Sequence, residues 1–379
     1  MNILRSIVHP WSNEHGQIGQ QRFGFPHEIP LRVQKGGGVS WPHDRLGNPS
    51  ALSPRERACL DLAARGLTAL EAGERLGISG STVNKLLASA RAKLGASRTA
   101  EAVALWVARG EIGPAIQACP DPVEARLVND RHVLQACEDL ASDLRSCPCF
   151  ADAWFVLRRH IARQGASSVQ FAVHAAPKGR LTTGARMIAM SLPDELLGLY
   201  GDAGGMEADP FAGWLANGGG WLSLKTDRVP APNLPRHSRG MYDFASALPD
   251  HGYRCILGTV MQDPATGASF ALPFGFRSGA ADDAMRHEDH YRRLQYMMSA
   301  TFWQAIQERA LLREFVPLSA RMREALQDSA RGLGAAESAA RMGISRRAVE
   351  KLLSETRQVF AAPTTAAAIY RANVYRVLG

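Results

Sequence analysis

Two segments of the chain, beginning at Leu52 (the first copy) and at Leu318 (the second copy), repeat one another without a gap. A shift of 266 positions places Arg65-Gly66-Leu67 on 331–333, and a little under half of the aligned residues are identical. A small unit repeated on both sides of an unrelated segment indicates duplication of one structural module. What this module does is therefore central to what the chain does.

The first copy carries the signals of short helices joined by tight turns. Ser53, Pro54 and Glu56 supply an N-cap, a proline at the first helical position and the acidic residue of a capping box. Gly77 follows the second helix and predicts a tight turn before the third. Two short helices joined by a glycine-containing turn are typical of a helix-turn-helix, so residues 51–112 are predicted to form one.

The helix after this turn is predicted to expose a small, polar face. That face consists of Gly80, Ser81, Asn84, Lys85, Ala88, Arg91 and Ala92. A slim polar helix suits a DNA major groove about 12 Å wide, in which asparagine pairs with adenine and lysine reaches guanine or phosphate. The alternative is a four-helix structural lobe without DNA contact.

The first copy also resembles, from end to end, the LuxR/GerE-type helix-turn-helix of bacterial regulators. The motifs that carry this resemblance are Leu52-Ser53-Pro54-Arg55-Glu56, Ala64-Arg65-Gly66-Leu67-Thr68, Leu76-Gly77-Ile78-Ser79 with Thr82-Val83, and Lys93-Leu94-Gly95-Ala96-Ser97-Arg98. The resemblance implies that Thr82, Asn84, Lys85 and Ala88 face the groove and that Lys93 and Arg98 approach phosphate. Ser81, on the same exposed face, completes the predicted DNA-binding set.

The second copy, residues 315–379, has diverged from this pattern. Met322 stands where the first copy has its capping glutamate, and Glu350 stands where it has Asn84. A carboxylate repels phosphate but accepts a hydrogen bond from cytosine N4. The candidate DNA contacts of this copy are Arg346, Arg347, Glu350 and Lys351. The alternative is a lobe used for packing or dimerisation.

The formal net charge of +8 is concentrated in the two copies. Residues 52–112 contribute +3 (9 − 6) and residues 317–379 contribute +5 (10 − 5), whereas the segment between them is slightly acidic. A basic surplus that follows the proposed binding modules is what contact with phosphate requires.

Cysteine use and hydropathy favour a cytoplasmic protein. The six cysteines form no regular disulfide framework, so we expect reduced thiols. No apolar run approaches the roughly 18–20 residues of a membrane helix, and the N-terminus lacks a charged-then-apolar signal pattern. We therefore expect no membrane contact.

Motifs of common enzyme classes are not found. The sequence has no Gly-x-Ser-x-Gly elbow, His-Glu-x-x-His pair or phosphate-binding loop. His287 and His290 lie three residues apart on a predicted helix, which suits either a metal pair or a solvated helix face. We expect no enzyme activity, no cofactor and no bound metal.

The central segment, residues 130–314, has a different pattern. Helical stretches precede and follow five short β-rich runs, which predicts an α-β-α sandwich with a five-stranded antiparallel sheet. Residues 1–50 are rich in Gly, Pro, His and Gln and are predicted to be a flexible arm, and 113–129 a linker. The predicted whole is multidomain, α and α+β, with two four-helix modules flanking the sandwich.

Aromatic and acidic residues between the second and third runs suggest a ligand pocket. Tyr200, Asp209, Trp214 and Trp221 combine apolar surface with one carboxylate, a common design for binding small molecules. Asp209 is suited to accept an amide N–H and Tyr200 to donate to a carbonyl. The alternative is that Asp209 caps a helix and that the tryptophans belong to the core.

The central segment resembles the autoinducer-binding domain of LuxR-type quorum-sensing regulators. The residues that carry the resemblance are Leu192-Pro193, Leu196, Tyr200, Asp209-Pro210, Asp250-His251-Gly252-Tyr253-Arg254 and Leu272-Pro273-Phe274. The resemblance implies an N-acyl-homoserine lactone or a similar ligand lined by Tyr200, Asp209 and Trp221, with Asp209 on the acyl amide. Leu196 stands where the family usually has tryptophan.

These observations predict a transcriptional regulator of the LuxR type that binds double-stranded DNA, forms a homodimer and senses a small ligand. The alternative is a ligand-independent interaction protein whose second copy binds a partner or mediates dimerisation.

Overall fold

The computed structural model describes residues 52–108, 130–175, 185–207, 209–216, 220–226, 239–263 and 266–378. The predicted arm (1–50) and linker (113–129) lie outside the described residues.

The first copy folds into four helices that begin close to their capping signals. They are α1 (Pro54–Ala64), α2 (Ala69–Leu76), α3 (Gly80–Leu94) and α4 (Thr99–Ala108). Ser53, Thr68 and Ser79 each accept a hydrogen bond from a backbone amide of the first turn. The turn between α2 and α3 requires Gly77, which has φ +66°, a conformation that side chains other than glycine rarely adopt. The α2–turn–α3 unit is the arrangement predicted from the sequence.

The central segment follows as a sheet enclosed by helices. Its elements are α5 (Arg131–Leu144), α6 (Phe150–Arg163), β1 (Ser168–His174), β2 (Ala185–Met190), α7 (Asp194–Asp202), α8 (Pro210–Ala216), β3 (Trp221–Lys225), α9 (Arg239–Ala247), β4 (Tyr253–Gln262), β5 (Ser269–Ala271), β6 (Phe274–Arg277), α10 (Ala280–Arg286) and α11 (Glu288–Glu308). Helices α5, α6 and α11 pack on one face of the sheet, and α7, α8 and α9 lie on the other. Short 3-10 turns occupy Gly205–Glu207 and Leu311–Phe315.

Within the residues that the structure describes, the antiparallel sheet contains six strands, not the five predicted. Its order is β2-β1-β5-β4-β3, and β6 pairs with both β1 and β4. The run predicted as one strand over Ser269–Phe274 is divided at Leu272-Pro273, because proline has no backbone N–H to continue the ladder. Strands β5 and β6 consequently pair with different parts of β1.

The second copy forms four helices in the same order: α12 (Ala320–Ala330), α13 (Ala335–Met342), α14 (Arg346–Val359) and α15 (Thr365–Val374). Each begins 266 residues after its counterpart in the first copy. The weaker capping signals still start α12, because Ser319 accepts from the Met322 amide.

The two copies pack against each other through their last helices, α4 and α15. Gly66 (φ +91°) lies so close to the second copy that a Cβ there would approach Pro363 Cγ to 2.3 Å. Ser97 Oγ and Arg98 Nε both donate to the carbonyl of Gly332, at 3.2 and 3.0 Å. Part of the apolar core of each copy joins part of the core of the central segment in one continuous cluster, whereas the residues buried between the first three helices of each copy form separate clusters.

The second copy is also attached to the central segment. The buried Tyr370 hydroxyl donates to the Thr266 carbonyl at 2.7 Å, and Gln307 Nε2 of α11 donates to the Val374 carbonyl at 3.1 Å. Arg186 of β2 donates to the carbonyl of Val359, the last residue of α14. These contacts fix the second copy to the sheet.

Across the described ranges, none of the helices combines the length and hydropathy needed to cross a bilayer.

Replacing Gly66 with alanine tests the packing between the copies. Gly66→Ala and Gly77→Ala both place alanine at positive φ, but a Cβ at Gly77 has open space around it whereas one at Gly66 meets the ring of Pro363. Gly66→Ala should therefore lose about 1–3 kcal/mol more stability than Gly77→Ala. Urea unfolding of the full chain, with hydrogen exchange of the α4 and α15 amides, measures the difference. Equal losses would contradict this packing.

Candidate nucleic-acid interface

Helix α3 buries one face and exposes the polar face predicted for it. Val83, Ala90 and Leu94 are buried against α1, α2 and α4. The predicted groove-facing residues Ser81, Asn84, Lys85 and Ala88 are exposed along the opposite side, and Thr82 is half-buried, its hydroxyl 2.8 Å from Ser79 Oγ. The structure therefore brings this part of the predicted set together on one surface.

Lys93 is engaged inside the first copy. Its ammonium lies 2.8 Å from Glu56 Oε2, and Glu56 also accepts from Ser89 Oγ and the Ser53 amide, both at 2.6 Å. Burial acts to raise the pKa of Glu56, but the hydrogen bonds from Lys93, Ser89 and Ser53 outweigh it and lower the pKa to about 2. This ionised cluster joins the start of α1 to the end of α3.

Arg98 lies at the junction between the copies. Besides its bond to the Gly332 carbonyl, its guanidinium is 3.9 Å from Glu337. The phosphate-binding role inferred for Lys93 and Arg98 thus competes with contacts that both side chains make within the chain.

The second copy presents a more strongly charged face. Arg346, Arg347, Glu350 and Lys351 are all exposed on α14. Arg346 pairs with Glu350 at 2.8 Å, and Lys351 lies 3.8 Å from Glu355. These exposed pairs lower the positive potential of α14, whereas α3 has no acidic residue.

On the central sheet, Leu196 and Tyr200 lie in a buried apolar cluster with residues of α9. The Tyr200 hydroxyl donates to Asp209 Oδ2 at 3.0 Å, and the Phe211 amide donates to Oδ1 at 2.8 Å. Burial raises the pKa of Asp209, against the lowering effect of these two bonds. Asp209 therefore caps α8, as the alternative interpretation had it, and also binds Tyr200.

Trp221 lies on the other face of the sheet. Its indole Nε1 donates to Glu288 Oε1 of α11 at 2.6 Å, and Arg292 lies over the ring at 5.7 Å. The structure does not bring Trp221 together with Tyr200 and Asp209. Trp214 belongs to α8, the helix that Asp209 caps.

Sequence comparison identifies the first copy. Residues 50–106 match the family model described as bacterial regulatory proteins, luxR family. This segment is a LuxR-family helix-turn-helix domain. Comparison of the chain with curated protein sequences gives no significant match.

Solved structures similar to the chain include SdiA of Escherichia coli, with 15% identity, a TM-score of 0.39, and coverage of 65% of this chain and 99% of that one. CepR2 of Burkholderia cenocepacia, described as an N-acylhomoserine lactone-dependent LuxR family transcription factor, has 16% identity, a TM-score of 0.35, and coverage of 46% and 98%. SdiA in complex with octanoyl-rac-glycerol has 15% identity, a TM-score of 0.35, and coverage of 65% and 96%.

His287, between α10 and α11, and His290 of α11 each contact an aspartate. His287 Nδ1 lies 3.1 Å from Asp283 Oδ1, and His290 Nδ1 lies 3.2 Å from Asp130 Oδ2. Within the ranges that the structure describes, no three His, Cys, Asp or Glu side chains are grouped to hold a metal ion.

The Glu56 cluster was not predicted from the sequence, although the repeat contains a signal for it. Glu56 is 37 residues from Lys93, and no local pattern links them. The second copy has Met322 and Val359 at the two equivalent positions, so both members of the ion pair are replaced together.

The LuxR-family domain should lose stability in acid because of Glu56. Its carboxyl has a pKa of about 2 when folded and 4.5 ordinarily. The ionised group therefore stabilises the fold above pH 4.5, by on the order of 2 kcal/mol, and this contribution is lost as the pH falls toward 2. Glu56→Gln should remove it.

Hydrogen exchange of the α1 and α3 amides between pH 5 and 3, together with thermal unfolding, measures this effect. Glu74→Gln, on the exposed side of α2, is the matched control and should keep the acid dependence of the unmodified chain. An unchanged acid dependence in Glu56→Gln would contradict the assignment.

Proposed function

We propose that this chain is a sequence-specific, DNA-binding transcriptional regulator that uses α3 and α14 to contact two half-sites. The observation that carries the proposal is the exposed stripe of Ser81, Asn84, Lys85 and Ala88 on the helix after the turn of a LuxR-family domain. Helices of this kind enter the major groove with their N-terminal residues at the base edges.

Charge and local structure support contact with a duplex. The first copy carries a net +3 and the second +5, and α3 has three basic residues with no acidic one. Small side chains at Ser81 and Ala88 allow the helix to approach the bases closely, while Asn84 and Lys85 supply hydrogen-bonding groups. Both copies expose a lysine at equivalent positions, Lys85 and Lys351.

A second candidate function follows from α14. Its pairs Arg346–Glu350 and Lys351–Glu355 are suited to a polar protein surface as well as to DNA. In this alternative the second copy binds another regulator, and only the first copy contacts the duplex.

The central segment supports a sensing role. Tyr200 and Asp209 form a partly buried polar pair beside an apolar cluster that includes Leu192, Leu196 and Phe244. One polar pair on an apolar wall orients a small ligand that has an amide or carbonyl group, such as an acyl-homoserine lactone. Trp221, on the opposite face, is not part of this wall.

Substitutions on the two exposed faces separate the candidate functions. Alanine at Asn84 and Lys85 should weaken binding to a duplex obtained by selection from random sequences by tenfold or more, since base and phosphate contacts are lost. Each phosphate contact removed should also reduce the log-log salt slope by about 0.9. Alanine at Arg346, Arg347 and Lys351 should have a similar effect if α14 contacts DNA.

Electrophoretic or fluorescence titrations over a range of salt concentrations measure both quantities. Lys225→Ala removes an exposed charge from β3 and should leave affinity unchanged. A loss confined to the α3 variants would favour the partner-binding role for the second copy. Failure of the unmodified chain to bind any duplex at low salt would refute the regulator.

Asp209→Asn tests ligand sensing. If an acyl-homoserine lactone binds the folded chain, a lactone concentration of 100 times the Kd should stabilise the chain by about 2.7 kcal/mol and raise its melting temperature. The variant should lose most of this rise. Asp202→Asn, on the exposed side of α7, should retain the rise. No rise in the unmodified chain with lactones of any acyl length would leave a ligand-independent regulator.

A further inference from the structure

The contact between the copies is reciprocal. Gly66 faces Pro363 and Ala367, and Gly332, its equivalent after the shift of 266, faces Ser97 and Glu101. Pro363 is the equivalent of Ser97, and Ala367 is the equivalent of Glu101. In each copy, the equivalent glycine therefore faces the same two positions of the other copy. Reciprocity of this kind defines an isologous, two-fold interface between identical subunits, and here it occurs within one chain.

The last helices contribute equivalent buried positions to this arrangement. Ala102, Val103 and Trp106 of α4 are fully buried, and so are their equivalents Ala368, Ile369 and Ala372 of α15. A tryptophan in one copy corresponds to an alanine in the other, so the pair has diverged in volume while keeping its geometry. The surface through which two separate modules would pair in this way is occupied by the other copy of the same chain.

The exposed faces of the pair have also diverged. Where α3 presents Ser81, Asn84 and Ala88, α14 presents Arg347, Glu350 and Ser354. Asparagine is suited to adenine, whereas a glutamate accepts from cytosine N4. Lys85 and Lys351 are the shared basic residues. Two helices related by an approximate two-fold axis therefore carry different base-reading groups.

We propose that a single chain recognises an operator composed of two unlike half-sites at one fixed spacing. This inference rests on the proposed DNA-binding function. The two helix-turn-helix units act as a covalently linked pair. The pairing that would otherwise form between two chains therefore forms between the two copies within one chain. A palindrome would place one of the diverged faces on an unsuitable half-site, so the preferred operator lacks dyad symmetry.

The attachment of the second copy to the sheet supports a fixed spacing. The bonds from Tyr370 to Thr266 and from Gln307 to Val374 hold α15, and α15 in turn packs on α4. The helix pair is therefore positioned by packed structure and not by a flexible tether.

Selection from random duplexes followed by native mass spectrometry of the complex tests the proposal. The expected result is a motif with two different halves and one chain per duplex. A palindromic motif that binds two chains would overturn this inference while leaving the proposed function intact. No retained duplex at low salt would refute both.

Variants and spacing changes provide the second test on the selected operator. Asn84→Ala should relax selection in one half only, and Glu350→Ala in the other half only. Insertion of about five base pairs, half a helical turn, should reduce affinity by roughly 100-fold or more, because bivalent binding is lost. Relaxation of both halves by either variant, or a loss below tenfold on insertion, would overturn the proposal.

Discussion

Reciprocal packing of α4 and α15 sets the position of both exposed helices, since each exposed helix is held by the last helix of its own copy. A helical unit of roughly 60 residues buries a limited core by itself. In this chain the two units share apolar surface through these helices, and the shared core extends to the sheet of the central segment. A substitution at the junction therefore affects both copies, whereas a substitution on α3 or α14 acts on one surface alone.

Duplication followed by divergence explains how the copies keep one fold with different interiors. The first copy joins α1 to α3 through Glu56 and Lys93, and the second has Met322 and Val359 there. The second copy instead buries Asp328, which bonds to Ser338 and Arg341 at 2.6 and 2.9 Å. A buried charge is tolerated only when it is paired and hydrogen-bonded, and the first copy has the uncharged Leu62 at the position equivalent to Asp328.

Local signals predicted the parts of the fold that depend on neighbouring residues. The caps at Ser53 and Ser79 and the turn at Gly77 lie where the sequence indicated, because capping and positive φ are decided within one helical turn. The exposed face of α3 followed from helical periodicity for the same reason.

Contacts between residues distant in sequence were not predictable in this way. Arg98 bonds to Gly332 of the second copy, and Trp221 of β3 bonds to Glu288 of α11, so both side chains have partners that no periodicity in the sequence reveals. The division of the fifth predicted strand at Pro273 was only partly predictable. The proline is evident in the sequence, but its effect on strand pairing depends on how β5 and β6 each pair with β1. Local sequence signals thus predicted which helix faces are exposed. Contacts between residues distant in sequence determine which charged side chains are already paired within the chain.

The position of β2 bears on how a sensing sheet would act on DNA binding. Met187 packs against the apolar cluster that contains Leu196 and Tyr200, and its neighbour Arg186 donates to the last residue of α14 and lies 5.8 Å from the ring of Tyr375. A ligand shifts an equilibrium only through different affinity for two arrangements. A ligand on the Tyr200 face would therefore affect operator binding only by moving β2 or the helices beside it, and α14 is the exposed helix that β2 contacts directly. Because the copy that contains α14 is packed on the first copy, a movement of α14 would change its spacing from α3 only if it disturbed this packing, and recognition of the proposed operator depends on that spacing.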